Sequence, residues 1–296
     1  MCMCIKANPM FSTGKLIKYV AIFGVAPWYS SRQGKVTYRK AFQCYAILLI
    51  ISMMCVTFIS FSFRFTLTYK KEEVIKKLFD AMLTLALASN FVVTSLGAAF
   101  WNISSWEKLL RHVAFVESTA GNFGEAGNVA FISGNLFLPC WYLSGLLIFQ
   151  DKLSFSFFFS PTFVLCYAKF ILEVLIFNIT LSLKSGYKHA NKLFRSVRLD
   201  KNKTMETLER IKSLFLKSGC AVDHFNKVFG WPLLLMLLNT IVNMLSLLVV
   251  STSNNFEWFG KEYSIGKQLI IINVVYVLVS MIWLTAIIFC CDSVVR

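Results

Sequence analysis

Lys169 and Glu173 stand four residues apart in the middle of an otherwise uncharged apolar stretch running from Pro161 to Leu183. At that spacing two helical side chains share a face and can pair. A stretch of this length crosses a hydrocarbon core of about 30 Å, where an ionised group must turn toward protein or a water-filled cavity. The two charges are therefore either a polar element of a ligand cavity or gate, or an interior structural ion pair.

Other intramembrane polar groups fall on faces of their own. Asn273, Tyr276, Ser280 and Trp283 recur at spacings of three, four and three, which aligns one polar and aromatic face suited to a small-molecule pocket. Trp141 and Tyr142 follow Pro139, whose missing donor kinks a helix and opens space beside it. Asp80 shares a face with Thr84, and Asn90 shares one with Thr94 deeper in the same stretch. Helix-to-helix packing is the plainer use of each of these faces, and for the stripe of Asn239, Asn243 and Ser246 it is the preferred one.

Little in the chain suggests turnover chemistry. His112, His189 and His224 lie outside the apolar blocks and are not at metal-ligand spacings with cysteine or carboxylate. Without a Gly-rich phosphate loop, a nucleophile motif or paired carboxylates, no cofactor and no enzymatic activity are expected. None of the nine cysteines falls in an outer loop, so no extracellular disulfide framework is inferred. Cys2, Cys4, Cys290 and Cys291 lie near the cytoplasmic face, where they are either acylated or ordinary thiols.

The elements that position these residues follow from composition and pattern. A chain of 296 residues that is 57% apolar, with 29 Phe and a mean hydropathy of +0.64, is a multispanning membrane protein. Its net charge of +15 sits between the apolar blocks, which is a topology signal and not a nucleic-acid footprint. Six blocks are long enough to cross: 41–63, 78–100, 128–149, 161–183, 231–250 and 268–291. The expected fold is an all-α polytopic transmembrane bundle. It divides into an amino-terminal segment (1–40), four spans with their loops (41–183), a basic helical segment (184–230) and two further spans (231–296).

Leu16 to Pro27 is too short to span and is read as interfacial or protein-packed; with Lys18 inside it and no small-residue cleavage site after it, no cleaved signal peptide is expected. Lys and Arg number 21 on the side of the amino terminus and 8 on the other, which places the amino terminus in the cytoplasm. The first outer loop, RFTLTYKKEEVIKK, is itself basic and runs against this count. The halves show no internal repeat, which weakens a transporter reading.

Ahead of the fifth block, Leu208, Ile211, Phe215, Val222, Phe225 and Phe229 form an apolar stripe on an otherwise charged helix, with Asn202 or Thr204 as its cap and Glu206 in its first turn. A cytoplasmic stripe needs a cover other than lipid tails. Another part of this chain, a neighbouring subunit, or a position flat on the inner leaflet would supply one.

An inside amino terminus, short outer loops, a long basic fourth segment and then HFNKVFGWPLLLMLLNTIVNMLSLL together resemble the insect gustatory receptor family, within the wider insect chemoreceptor superfamily. KYVAIFGVAPWY, with Gly24 and Pro27, resembles that family's opening segment, and IWLTAIIFCCDSVVR the end of its sixth span. The resemblance implies a tastant-gated, non-selective cation channel, a tetramer in the plasma membrane of chemosensory neurons. It also implies a ligand pocket in the outer half of each subunit, at positions matching Asp80, Trp141, Tyr142, Tyr167, Asn273 and Tyr276, which Lys169 and Glu173 join on their own spacing. Helices below the fifth and sixth spans form that family's subunit anchor, to which the stripe from Leu208 to Phe229 would belong. The family also has a seventh, pore-lining span with a Thr-Tyr, five residues, Gln-Phe signature, so a fragment is the expectation here, six spans of seven. A G-protein-coupled receptor and a small-solute transporter are the rival classes.

The orientation makes a direct prediction. The sequons at Asn102 and Asn202 fall in the cytoplasm and the one at Asn178 inside a span, so expressed protein should carry no N-linked glycan. A glycosidase-sensitive mass shift mapped to Asn102 or Asn202 would reverse the topology.

Overall fold

The computed structural model describes residues 13–30, 33–68, 74–120, 124–148, 152–199, 205–252 and 263–295. Cys2, Cys4, Asn202 and Thr204 lie outside these residues. The chain is an all-α polytopic bundle. Its helices are α1 (Thr13–Ile22), α2 (Arg39–Phe63), α3 (Val74–Leu96), α4 (Ile103–Ala120), α5 (Gly124–Ile148), α6 (Lys152–Leu199), α7 (Met205–Thr252) and α8 (Tyr263–Val295). A two-stranded hairpin, β1 (Tyr29–Ser30) and β2 (Lys35–Val36), joins α1 to α2. Single π-helical turns, Arg64–Thr68 and Gly97–Trp101, close the ends of α2 and α3. Among the described residues five helices are long and apolar enough to cross a membrane, and α5 contributes a shorter apolar stretch, Phe131–Leu147.

Helix α6 is the axis. Its most apolar window is 72% buried, against 17% for α2 and 28% for both α7 and α8, so the other spans wrap around it and expose their outer faces. At about 1.5 Å per residue the 48 residues of α6, like the 48 of α7, reach well past a bilayer. Each therefore continues from an apolar span into a basic extension without a break, and Pro232 sits within α7 where the two parts meet.

The basic extensions are covered by the chain itself. Ile211, Leu214, Ser218, Ala221, Phe225 and Phe229 face inward along α7, and α4 and α6 pack against that helix. Trp106 meets Phe229 edge-on, ring centroids 5.1 Å apart, and both side chains are almost fully buried; such burial contributes about 1.5–3 kcal/mol per large apolar side chain. Val222 is half-buried, whereas Leu208 and Phe215 of the same stripe stay exposed. Contact between α4, α6 and α7 is close because Gly186 has no side chain: a Cβ there would lie 2.7 Å from Val116 Cγ1 and 3.2 Å from Ser218 Oγ.

Helix α4 was not among the expected elements. A search for spans passes over it, yet Ile103, Trp106, Leu110 and Val113 recur at three and four, the spacing of one buried helix face. The hairpin docks on this helix. Glu107 Oε1 accepts from the Val36 amide at 2.9 Å, and Arg111 donates to the Gly34 carbonyl at 3.3 Å. Of the two readings for Leu16 to Pro27, protein packing is the observed one: Leu16, Ile17, Val20 and Ala21 are buried, and α1 lies against α6. The chain then reverses at Gly24, which has φ +70° and sits where a Cβ would be 2.9 Å from Leu49 Cδ2.

His112 of α4 and His224 of α7 stack with ring centroids 6.3 Å apart and planes 10° from parallel. Burial above all, then His224, Lys217, Arg111 and Lys108, holds the His112 imidazole below its ordinary value near 6.5. As pH falls, the unfolded chain takes up this proton first. The contribution of His112 to stability is therefore complete above about 6.5 and is lost as pH falls through the lower folded value. Thermal unfolding of the purified chain should occur at lower temperature at about pH 5.5 than at about pH 7.5, with a shallower dependence in His112→Asn. Equal slopes for the two proteins would contradict a role for this stack.

Candidate functional site

Helices α5, α6 and α8 enclose a small polar chamber in the span region. The Lys169 ammonium lies 3.3 Å from Glu173 Oε1, and the two side chains are 4% and 5% exposed. Four-residue spacing on one continuous helix brings them together, as the sequence predicts. Around them the chamber is lined by Gly134 and Leu138 of α5, Cys166 and Phe170 of α6, and Tyr276, Ser280 and Trp283 of α8. Its interior holds about 20 Å³ of water-sized space, room for one water molecule.

The walls are aromatic and tightly stacked. Trp141 lies parallel to Tyr276 with centroids 4.8 Å apart, and the Tyr276 hydroxyl donates to Cys166 Sγ at 3.3 Å. Trp283 receives Phe170 and Phe177 edge-on, at 6.0 and 5.6 Å. Gly134 is the seat of Phe170: a Cβ on that glycine would fall 1.7 Å from the Phe170 ring. Among the described residues the buried Trp141 Nε1 has no hydrogen-bond partner, which leaves one indole donor unused beside the chamber.

A second layer adjoins the first. The Tyr167 hydroxyl bonds Asn135 and, at 2.6 Å, the Tyr19 hydroxyl of α1; Tyr142 bonds Ser160 at 2.7 Å. Phe163 connects the two tyrosines, 4.6 Å from the Tyr142 ring and 6.2 Å from that of Tyr167. Six of the eight expected site residues thus form one neighbourhood: Lys169, Glu173, Tyr276 and Trp141 at its centre, with Tyr142 and Tyr167 beside it.

Asp80 and Asn273 stand apart from that neighbourhood. Asn273 is exposed on α8, one turn before the buried Tyr276. Asp80 belongs to a cluster between α2 and α3, where it accepts from Arg64 at 2.9 Å. Arg64 is a correction to the sequence reading, which placed it at the start of the first outer loop. It is 2% exposed, donates to Thr84 at 3.3 Å and lies over the rings of Phe61 and Phe159 at 5.8 and 5.6 Å. A boundary drawn where the uncharged run ends cannot see that the next charge is paired; the signal was the lone Asp80 in the following apolar block. Tyr19 and Gly134 were also missed, one on a segment too short to span and the other with no polar atom to mark it.

Paired charge, a free indole donor and aromatic walls between three helices offer polar and aromatic contacts around a space that here admits one water molecule. Comparison with known proteins places the chain in a class. The profile of the 7tm chemosensory receptor family matches residues 16–296, nearly the whole chain, and no curated protein matches it. The chain belongs to the 7tm chemosensory receptor family, as a multi-pass membrane protein.

Breaking the buried pair should differ sharply from replacing it. Glu173→Leu strands the Lys169 charge and should lower stability by about 3–5 kcal/mol, whereas the double change Lys169→Leu with Glu173→Leu should return to within about 1 kcal/mol of the parent. Thermal unfolding of the three purified proteins tests this; equal losses in the single and double variants would contradict pairing.

Proposed function

We propose that this chain is a gustatory chemoreceptor subunit, a tastant-gated non-selective cation channel in the plasma membrane of chemosensory neurons, with its amino terminus in the cytoplasm. The observation that carries the reading is the buried Lys169–Glu173 pair walled by Tyr276 and Trp283, with Trp141 stacked on Tyr276, in a member of a chemosensory receptor family. A receptor, not an enzyme, makes use of such a chamber, since it needs only affinity that differs between two conformations.

The chamber holds about 20 Å³, whereas small-molecule sites run to several hundred, so a tastant enters only as side chains move. Phe170 is the natural gate, because it rests on a glycine and contacts Trp283 of α8. Moving that ring changes how α8 packs on α6, which links ligand to helix position. Subunits associate, as a homo- or hetero-tetramer, through the part of the apolar stripe that the chain leaves open, at Leu208 and Phe215.

Whole-cell recording from cells expressing the full-length receptor that contains these residues, pore-lining span included, against a panel of sugars, bitter compounds and carbon dioxide, tests the reading. Tyr276→Ala and Trp141→Ala should raise the half-maximal concentration of an active tastant at least about tenfold at unchanged surface amounts, losing roughly 1.4 kcal/mol of binding each. A response abolished by G-protein blockade, or uptake without current, would move the chain to one of the rival classes.

A further inference from the structure

A second cavity lies away from the aromatic chamber, where the end of α3 and the start of α4 meet the middle of α7. It holds about 230 Å³ between the Gly97–Trp101 turn, the start of α4 and the segment of α7 from Lys227 to Pro232. That is the share of roughly eight liquid waters. Three features of its wall describe a ligand.

Charge is the first. Lys227 lines the cavity and no carboxylate does. The second is the start of α4. The Trp106 amide already bonds the Asn102 carbonyl at 2.8 Å, so the preceding amides of Ile103, Ser104 and Ser105 have no acceptor within their own helix. A helix start of this kind favours an anion nearby, and its flanking residues Asn102 and Trp106 line the cavity. The Asn102 side-chain amide is 3.4 Å from where a Cβ of Gly97 would sit.

The third feature says where the anion comes from. Trp101 and Trp231, on two different helices, line the same cavity and are 67% and 70% exposed. Paired exposed tryptophans at the end of apolar spans mark the level of lipid headgroups. A soluble anion would have no use for them, whereas a phospholipid would place acyl chains along the outer face of α7 and its phosphate inside.

We infer that the cavity bounded by Trp101, Asn102, Lys227 and Trp231 is a binding site for one anionic phospholipid, its phosphate held by Lys227 and its glycerol level set by the two tryptophans. The site lies where α7 changes from basic extension to span, next to Pro232. A bound lipid would join the end of α3 to α7 and stabilise that junction.

The full chain, purified in detergent, should unfold at higher temperature with added phosphatidylserine than with phosphatidylcholine. Lys227→Gln should weaken the apparent phosphatidylserine affinity about fivefold, the effect of one lysine at a lipid surface, and Trp231→Ala should weaken it in the same direction. Lys192→Gln removes an exposed lysine far along α6 and should leave the affinity unchanged. Equal stabilisation by the two lipids would overturn the proposal. So would equal losses in Lys227→Gln and Lys192→Gln, which mark diffuse attraction to a basic face. Full stabilisation by inorganic phosphate alone would reveal an ion site in place of a lipid site.

Discussion

Holding Lys169 and Glu173 away from water in an apolar bundle constrains everything packed around them. Two ionised groups taken into a low-dielectric interior are tolerated only with close pairing and surroundings that exclude better alternatives. The helix that carries them must then be the one most enclosed by protein, and α6 is that helix. Around it α5 supplies a glycine on which Phe170 rests, α8 supplies Tyr276 and Trp283, and α1 enters to bond Tyr167. A span whose buried charge lies only at its end can remain outside, and α2, the least buried of the five candidate spans, is an example.

A second pair obeys the same constraint in a different place. Arg64 and Asp80 tie the end of α2 to α3, with Thr84 and two aromatic rings also against the guanidinium. Because Arg64 already engages Asp80, that carboxylate has less to offer a ligand than its position in the span suggested. The chamber at Lys169 differs in keeping a void among its side chains. That difference is why ligand binding is assigned to the one and helix anchoring to the other.

Much of the fold was legible because the hydrocarbon core sets a length that uncharged runs must meet. The described residues of all six blocks lie in long helices, α3 reaching residue 100 through its π-helical turn, and the join of basic helix to span at Trp231 is continuous in α7. What could not be read was partnership. The stripe from Leu208 to Phe229 shows a face but not what covers it, and α4, itself overlooked, turned out to be a large part of that cover. Likewise the periodicity that joined Asn273 to Tyr276 is real, yet a helix face is wide enough for one to be exposed and the other buried. Glycines such as Gly134 and Gly186 carry no pattern in one sequence, although the structure needs both.

The account rests on the claim that the Lys169–Glu173 chamber senses ligand and does more than hold helices together. The most direct measurement is the tastant concentration–response curve of the receptor carrying Leu at both positions, compared with the parent at matched surface amounts. Since the double replacement leaves no stranded charge, a change reports on binding and not on folding. A loss of sensitivity of about tenfold or more is the predicted result. An unaltered curve would make the pair a packing device and move the ligand site elsewhere.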